Sequence, residues 1–220
     1  HFFESLERLS AAGIPMYLVA GNHDPYTTWS YGLDRLPQSA RVLGIEGPEY
    51  VLFSRDDKPL CAIGGRSYYN QVWPHDRSIA EGLSRIDARE SLGVDAPFAI
   101  GVIHTGFELD TTKAPTDQEE LLSRDMDYWA CGHLHTRLVR PSMSNPRIVF
   151  PGCTQARDTK EPGEHGCYLV RLSDGAAPEL EFVPTSSVIL QSLTVDVSAC
   201  QTLADVMHLV QVEMFSENGK

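Results

Sequence analysis

Three times along this chain a short apolar run of strand character stops at or near a glycine with a histidine beside it. Met16-Tyr-Leu-Val-Ala runs into Gly21-Asn22-His23-Asp24, Gly101-Val-Ile into His104-Thr-Gly106, and Tyr128-Trp-Ala-Cys into Gly132-His133-Leu134-His135. Further runs of strand length lie at residues 60–64, 97–103, 148–150, 167–172 and 180–183. Helical patterns near residues 28–36, 78–92 and 117–123 fall between them. Strands alternating with helices in this way indicate a layered α/β architecture. Ligand sites in open sheets of that class gather beyond the carboxyl ends of the strands. All three histidine motifs stand there.

Asparagine and histidine are suitable neutral ligands for a first-row divalent metal. A single histidine at a strand end is more often a surface or satisfied core residue, and a lone His-x-His is a weak signal. The ordered set points to a metal site, because each motif follows a strand and each has a glycine beside it. His75-Asp76 resembles a catalytic pair but is expected to be a solvated turn.

Composition narrows the setting. The 220 residues are 42% apolar, which suffices for a sizeable core, and no apolar run approaches the length of a membrane span. Cys61, Cys131, Cys153, Cys167 and Cys200 are odd in number and scattered, which argues against a disulfide framework and a thiolate zinc site. His1-Phe2-Phe3-Glu4 has neither the basic nor the apolar region of a secretory signal, so a cytoplasmic location is expected. Thirty acidic residues against eighteen basic give a net charge of −12, so nucleic acid would not be held by charge alone. One stretch differs: residues 136–157 carry Arg137, Arg140, Arg147 and Arg157 and no acidic residue. It reads as a solvated strand face or as a phosphate track.

The motifs resemble the calcineurin-like metallophosphoesterase superfamily, whose ordered signature is D-x-H, G-D-x-x-D, G-N-H-[DE], a lone His and G-H-x-H. The last three correspond to Gly21–Asp24, His104 and Gly132–His135, and the first two are missing from these residues. The resemblance implies an α/β/β/α sandwich with N-terminal strands missing. It implies Asn22, His104 and His133 as ligands of one divalent metal and His135 as a ligand of the other. Manganese is the expected ion, with iron or zinc as alternatives. His23 is implied as the catalytic histidine that meets the scissile phosphate, and Asp24 as its orienting partner. The four ligands are neutral, so nothing among them offsets two dications, and the second metal is expected to be held poorly.

Phe150-Pro-Gly-Cys-Thr-Gln-Ala-Arg157 followed by Glu161-Pro-Gly-Glu-His-Gly-Cys resembles the segment after G-H-x-H in SbcD-like and YhaO-like DNA repair exonucleases. Arg157 in that segment is the candidate substrate-binding residue. DNA is then the implied substrate and a coiled-coil, SbcC-like ATPase of the structural-maintenance type the implied partner, with a homodimer as a further arrangement. Two other readings stay open: a metallophosphoesterase for a small molecule or phosphoprotein, favoured by the acidic balance, and a non-catalytic scaffold.

Both ends read as cut. Phe2, Phe3, Leu6 and Leu9 place a helix already under way at the first residue. Residues 188–190 and 193–197 read as strand, and Thr202-Leu-Ala-Asp205 as a capping box opening an amphipathic helix. The expected organisation is a nuclease core over residues 1–185 and the start of a small α+β capping, DNA-binding domain over 186–220. Such an internal piece is expected to be a weak nuclease by itself.

Overall fold

The computed structural model describes residues 1–29 and 32–217. Positions 30 and 31, inside the helical pattern at 28–36, and 218–220, inside the expected capping domain, lie outside the described residues. The fold is mixed α/β around a central mixed sheet. Its six strands are β3 (Glu49–Arg55), β4 (Lys58–Arg66), β5 (Phe98–His104), β6 (Tyr128–Gly132), β7 (Leu138–Ser142) and β8 (Asn145–Phe150). They are ordered β3-β4-β5-β6-β8-β7. β4, β5, β6 and β8 run parallel to one another, and hairpins add β3 and β7 antiparallel at the two edges. β7 lacks a clear sequence signal, because Arg140, Pro141 and Ser142 interrupt it, whereas β3 carries the apolar run Tyr50-Val51-Leu52-Phe53. Their pairing comes from the neighbouring strand and, for β3, from a turn at Asp56-Asp57 with positive φ at both residues.

Alternation along the parallel strands divides the sheet into two faces. Ala62, Ala99, Ile103 and Trp129 face the larger cluster, with Tyr68, Leu83, Phe107, Leu121 and Phe150. Gly101 belongs to the same face, and a Cβ there would overlap the Trp129 ring, so the close approach of β5 and β6 side chains requires glycine. Trp129 is fully buried, and its indole N–H donates to the Leu121 carbonyl at 3.0 Å. Cys61 and Ile63 face the other side. There Leu43, Tyr17 and Val19 cover them, carried by or next to β1 (Met16–Leu18) and β2 (Ala40–Val42), which pair in parallel. A separate antiparallel hairpin joins β9 (Gly166–Arg171) to β10 (Glu179–Pro184).

The helices are shorter than their sequence patterns. α1 covers Phe2–Ala11 and stops before Gly13. The pattern at 28–36 gives α2 (Tyr26–Trp29) and a 3-10 turn at Leu33–Arg35. The pattern at 78–92 gives only α3 (Arg85–Leu92), because Ser84 takes the N-cap position. Its Oγ accepts the Asp87 N–H at 3.1 Å and donates to Asp87 Oδ2 at 2.6 Å. α4 (Gln118–Ser123) is capped in the same way by Asp117. α5 (Leu203–Glu217) opens on the expected reciprocal box, with Thr202 N donating to Asp205 Oδ2 at 2.8 Å and Asp205 N to Thr202 Oγ1 at 3.2 Å.

The strands expected at 188–190 and 193–197 do not form. Leu190 makes one isolated antiparallel bridge to Gly163, and residues 191–197 have no strand structure. No neighbouring strand is there to take their amide and carbonyl groups, and an apolar run without a partner does not become a strand. His75-Asp76 is an exposed turn, as expected.

Candidate active site

The three motifs meet at one end of the central sheet. Asn22 lies four residues beyond β1 and is 5% exposed. His104 is the last residue of β5, in the middle of the sheet, and His133 follows β6 directly. Gly21 lets these elements close up. A Cβ there would stand 2.7 Å from His104 Cε1 and 2.9 Å from Asp24 Oδ1, well inside contact distance. The His104 and His133 rings meet edge to face at 5.2 Å, and Tyr68 packs on the other side of His104 at 5.6 Å. Asn22 Oδ1 accepts from His104 Nε2 at 2.8 Å. Two ligands about 90° apart on one cation, each ~2.1 Å from it, stand roughly 3 Å apart, which is the spacing of this pair.

The electrostatics tie the rest of the cluster to this pair. Burial, reinforced by the imidazoles of His133, His23 and His135, pushes His104 down to about 4. The ring is therefore neutral near pH 7, as a metal ligand must be. Burial lowers His133 as well, against the pull of the Asp110 carboxylate. His133 adopts φ 105°, a backbone region that costs a non-glycine residue about 1–3 kcal/mol and that clusters at functional sites.

Two carboxylates that sequence reasoning missed stand on the G-H-x-H histidines, so the donor set is not wholly neutral in its surroundings. Asp110 Oδ2 accepts from His133 Nε2 at 3.2 Å, while its Oδ1 takes the Thr112 amide at 3.0 Å and hydroxyl at 2.6 Å. Those Thr112 bonds, the hydroxyl above all, hold the Asp110 carboxyl below its usual range. The loop that carries it, between β5 and α4, is braced by Thr105, whose hydroxyl donates to the Ala114 carbonyl at 2.8 Å. Glu161 is the second carboxylate, with Oε1 2.5 Å from His135 Nδ1. An aspartate two residues before a threonine is a turn signal in sequence, and Glu161 stood in a recognised segment. Neither signal says which histidine the carboxylate will meet.

The other expected residues are placed as follows. His23 and Asp24 are exposed at the mouth of the cluster. Asp24 Oδ1 accepts the Gly21 N–H at 3.2 Å, closing the loop on itself. The expected Asp24–His23 hydrogen bond is not among those of the described residues. Asp24 also lines a cavity of about 410 Å³ with Phe2, Phe3, Trp29, Leu33 and Arg35. Arg157 Nη2 lies 2.8 Å from His135 Nδ1 and 3.0 Å from Nε2. Of the other arginines in its stretch, Arg137 stacks on Phe182 at 4.0 Å and Arg147 donates to the Met126 carbonyl.

Among the described residues, no group of three or more His, Cys, Asp or Glu side chains stands close enough to hold a metal ion. His104 and His133 pack on one another, and the rings hydrogen-bond to Asn22 and to the carboxylates. The donors still fit a divalent cation by their chemistry. Asn22, His104 and His133 converge with an amide oxygen and two partly buried imidazoles, and His135 is offered separately. Burial pushes Cys61 up to about 12 and raises Cys131 too, so neither contributes a thiolate.

The sequence profile described as calcineurin-like phosphoesterase matches residues 1–137. The chain is 31% identical over 220 residues to the uncharacterized metallophosphoesterase YhaO of Bacillus subtilis (strain 168). That match covers 99% of this chain and 51% of the relative, so the chain spans about half its length.

Proposed function

Since this chain belongs to the calcineurin-like phosphoesterase family of metal-binding phosphoester hydrolases, we propose that it serves to cleave phosphodiester bonds in DNA, as part of a repair nuclease of the SbcD-like and YhaO-like kind. The observation that carries the reading is the approach of Asn22, His104, His133 and His135, from three separate segments, to one end of the sheet with His23 exposed beside them. The segment after G-H-x-H supports the DNA substrate, because it brings Arg157 to His135.

In this reading Asn22, His104 and His133 hold one divalent ion and His135 a second, manganese first among the candidates and iron or zinc after it. Bound there, the ions would supply water activation and would offset charge on the phosphoryl oxygens. His23 delivers a proton to the leaving oxygen as the P–O bond breaks, which its exposed position beside the cluster allows. Asp24 sets the loop that carries His23, through its bond to the Gly21 amide. Arg157 donates to a phosphate oxygen, for which a guanidinium is well shaped. With a net charge of −12 the chain needs help to grip DNA, and a coiled-coil ATPase partner would provide it. No helix among the described residues is long and apolar enough to cross a membrane.

The acidic balance favours a second reading, a phosphoesterase for a small phosphorylated molecule. Manganese-dependent cleavage of a linear duplex, measured beside hydrolysis of a nucleoside monophosphate and with His133→Ala as control, separates the two. DNA cleavage abolished by His133→Ala supports the nuclease. Monoester hydrolysis without DNA cleavage supports the second reading and sinks the first.

A further inference from the structure

His135 lies past the end of β6, and its side chain is 41% exposed, so packing does not fix its ring. What surrounds it is a polar chain running back from the segment before β9. Glu161, 8% exposed, reaches His135 Nδ1 with Oε1 and accepts the Arg157 amide with Oε2 at 2.8 Å. Its own carbonyl oxygen lies 3.1 Å from His165 Nε2. A carbonyl only accepts, so His165 carries its proton on Nε2 and offers the Nδ1 lone pair. The Cys153 thiol meets that lone pair at 3.1 Å. Cys153 N in turn donates to the His135 carbonyl at 3.2 Å, which closes the circuit. His165 is 5% exposed and takes the Thr185 and Ser186 amides on its carbonyl, so the buried end of the chain is anchored to the segment after β10.

Resting on the metal reading above, we propose that Glu161 is a positioning residue for His135. It holds the ring with its proton on Nδ1, turns the Nε2 lone pair toward a divalent cation, and adds a negative charge beside an otherwise neutral ligand. The geometry leaves one assignment of protons. A carboxylate accepts, so Nδ1 carries the hydrogen whenever the ring is neutral. Nε2 is then a lone pair, free to face a cation. Arg157 Nη2 lies against the ring at 2.8 Å from Nδ1 and 3.0 Å from Nε2 and does not distinguish the two nitrogens, so the carboxylate contact on Nδ1 carries the assignment. A metal ligand whose far nitrogen donates to a carboxylate is oriented and made more basic, and losing such a partner typically costs about 10–100-fold in metal affinity.

The experiment uses the whole chain, with Glu161→Gln and Glu161→Ala, and manganese alone as the probe. Two readings are taken: manganese affinity by calorimetry, and the His135 tautomer in metal-free protein by nitrogen-15 NMR, with thermal melting to verify folding. The expected wild-type tautomer is Nδ1–H. Glu161→Ala should give mixed tautomers and about 10–100-fold weaker binding of the His135-dependent ion. Glu161→Gln keeps an acceptor oxygen, so it should retain Nδ1–H and lose less affinity, a split that a purely structural role would not produce. Wild-type His135 found as Nε2–H overturns the proposal, and that measurement requires no variant to fold. A folded Glu161→Ala with wild-type tautomer and affinity overturns it too. If the wild type and His133→Ala both take up no manganese, the metal reading itself fails, whereas the tautomer still decides whether Glu161 orients the ring.

Discussion

The histidine cluster has two halves, and they are built differently. Asn22, beyond β1, is buried and His104, at the end of β5, is partly buried, both packed against glycine backbone and aromatic rings. Their neighbours, Gly21 and Gly132, lie beside them in sequence or on the adjoining strand. His135 is half-exposed and takes its surroundings from residues 153 to 165, on a segment with little regular structure. One half is located by close packing, which has few alternatives once the sheet forms. The other is located by hydrogen bonds between groups far apart in the chain, each worth only about 1 kcal/mol net but costly to leave unmade. The packed half should therefore be most sensitive to added volume, and the loop half to the loss of a hydrogen-bonding partner.

His23, exposed beside the cluster, is the place to test chemistry apart from binding. His23→Ala should lower the rate of phosphodiester hydrolysis by about 10²–10⁴-fold while manganese affinity by calorimetry stays at the wild-type level. A loss of manganese as severe as that of His133→Ala would show His23 to be a ligand and remove the division of roles.

Metal uptake tests the halves directly. His104→Ala should weaken the tighter manganese ion by at least about 100-fold, more than the loss of any outer partner, whereas His135→Ala should leave that ion within about threefold. Equal losses from the two variants would mean that both rings serve one ion, and the two-half description would fall.

Volume tests the packed half. Gly21→Ala would place a methyl group 2.7 Å from the His104 ring and is expected to cost about 1–3 kcal/mol of stability in denaturant unfolding, the usual range for overpacking. An unchanged midpoint would show that the loop at Gly21 shifts freely, and that close packing is not what holds His104.

The mildest change sharpens the comparison on the other side. Arg157→Ala removes the guanidinium from His135 but keeps the amide that binds Glu161. It should leave manganese affinity undiminished and raise KM for a duplex by about fivefold or less, as for an exposed ionic contact. A fall in manganese affinity would assign the side chain to the metal-side network rather than to substrate.

The sequence by itself determined the strands and their ends. β4, β5, β6, β8, β9 and β10 were legible because apolar runs bounded by turn residues have few alternatives to strand. The motifs carrying Asn22, His104, His133 and His135 are visible in the sequence because each follows an apolar run of strand character. β7 was not legible, since Arg140, Pro141 and Ser142 interrupt its run and it acquires its structure from β8, while β3 carries the apolar run Tyr50–Phe53 and its edge position is set by pairing with β4. The runs at 188–190 and 193–197 carried a strand pattern that no partner completed. Tertiary structure alone decided that Asp110 meets His133 and Glu161 meets His135. A hydrogen bond depends on where two groups end up to within a few tenths of an ångström. Local pattern fixes an element and its face, but the meeting of loops 23 to 26 residues apart is set by how the whole sheet and its connections pack.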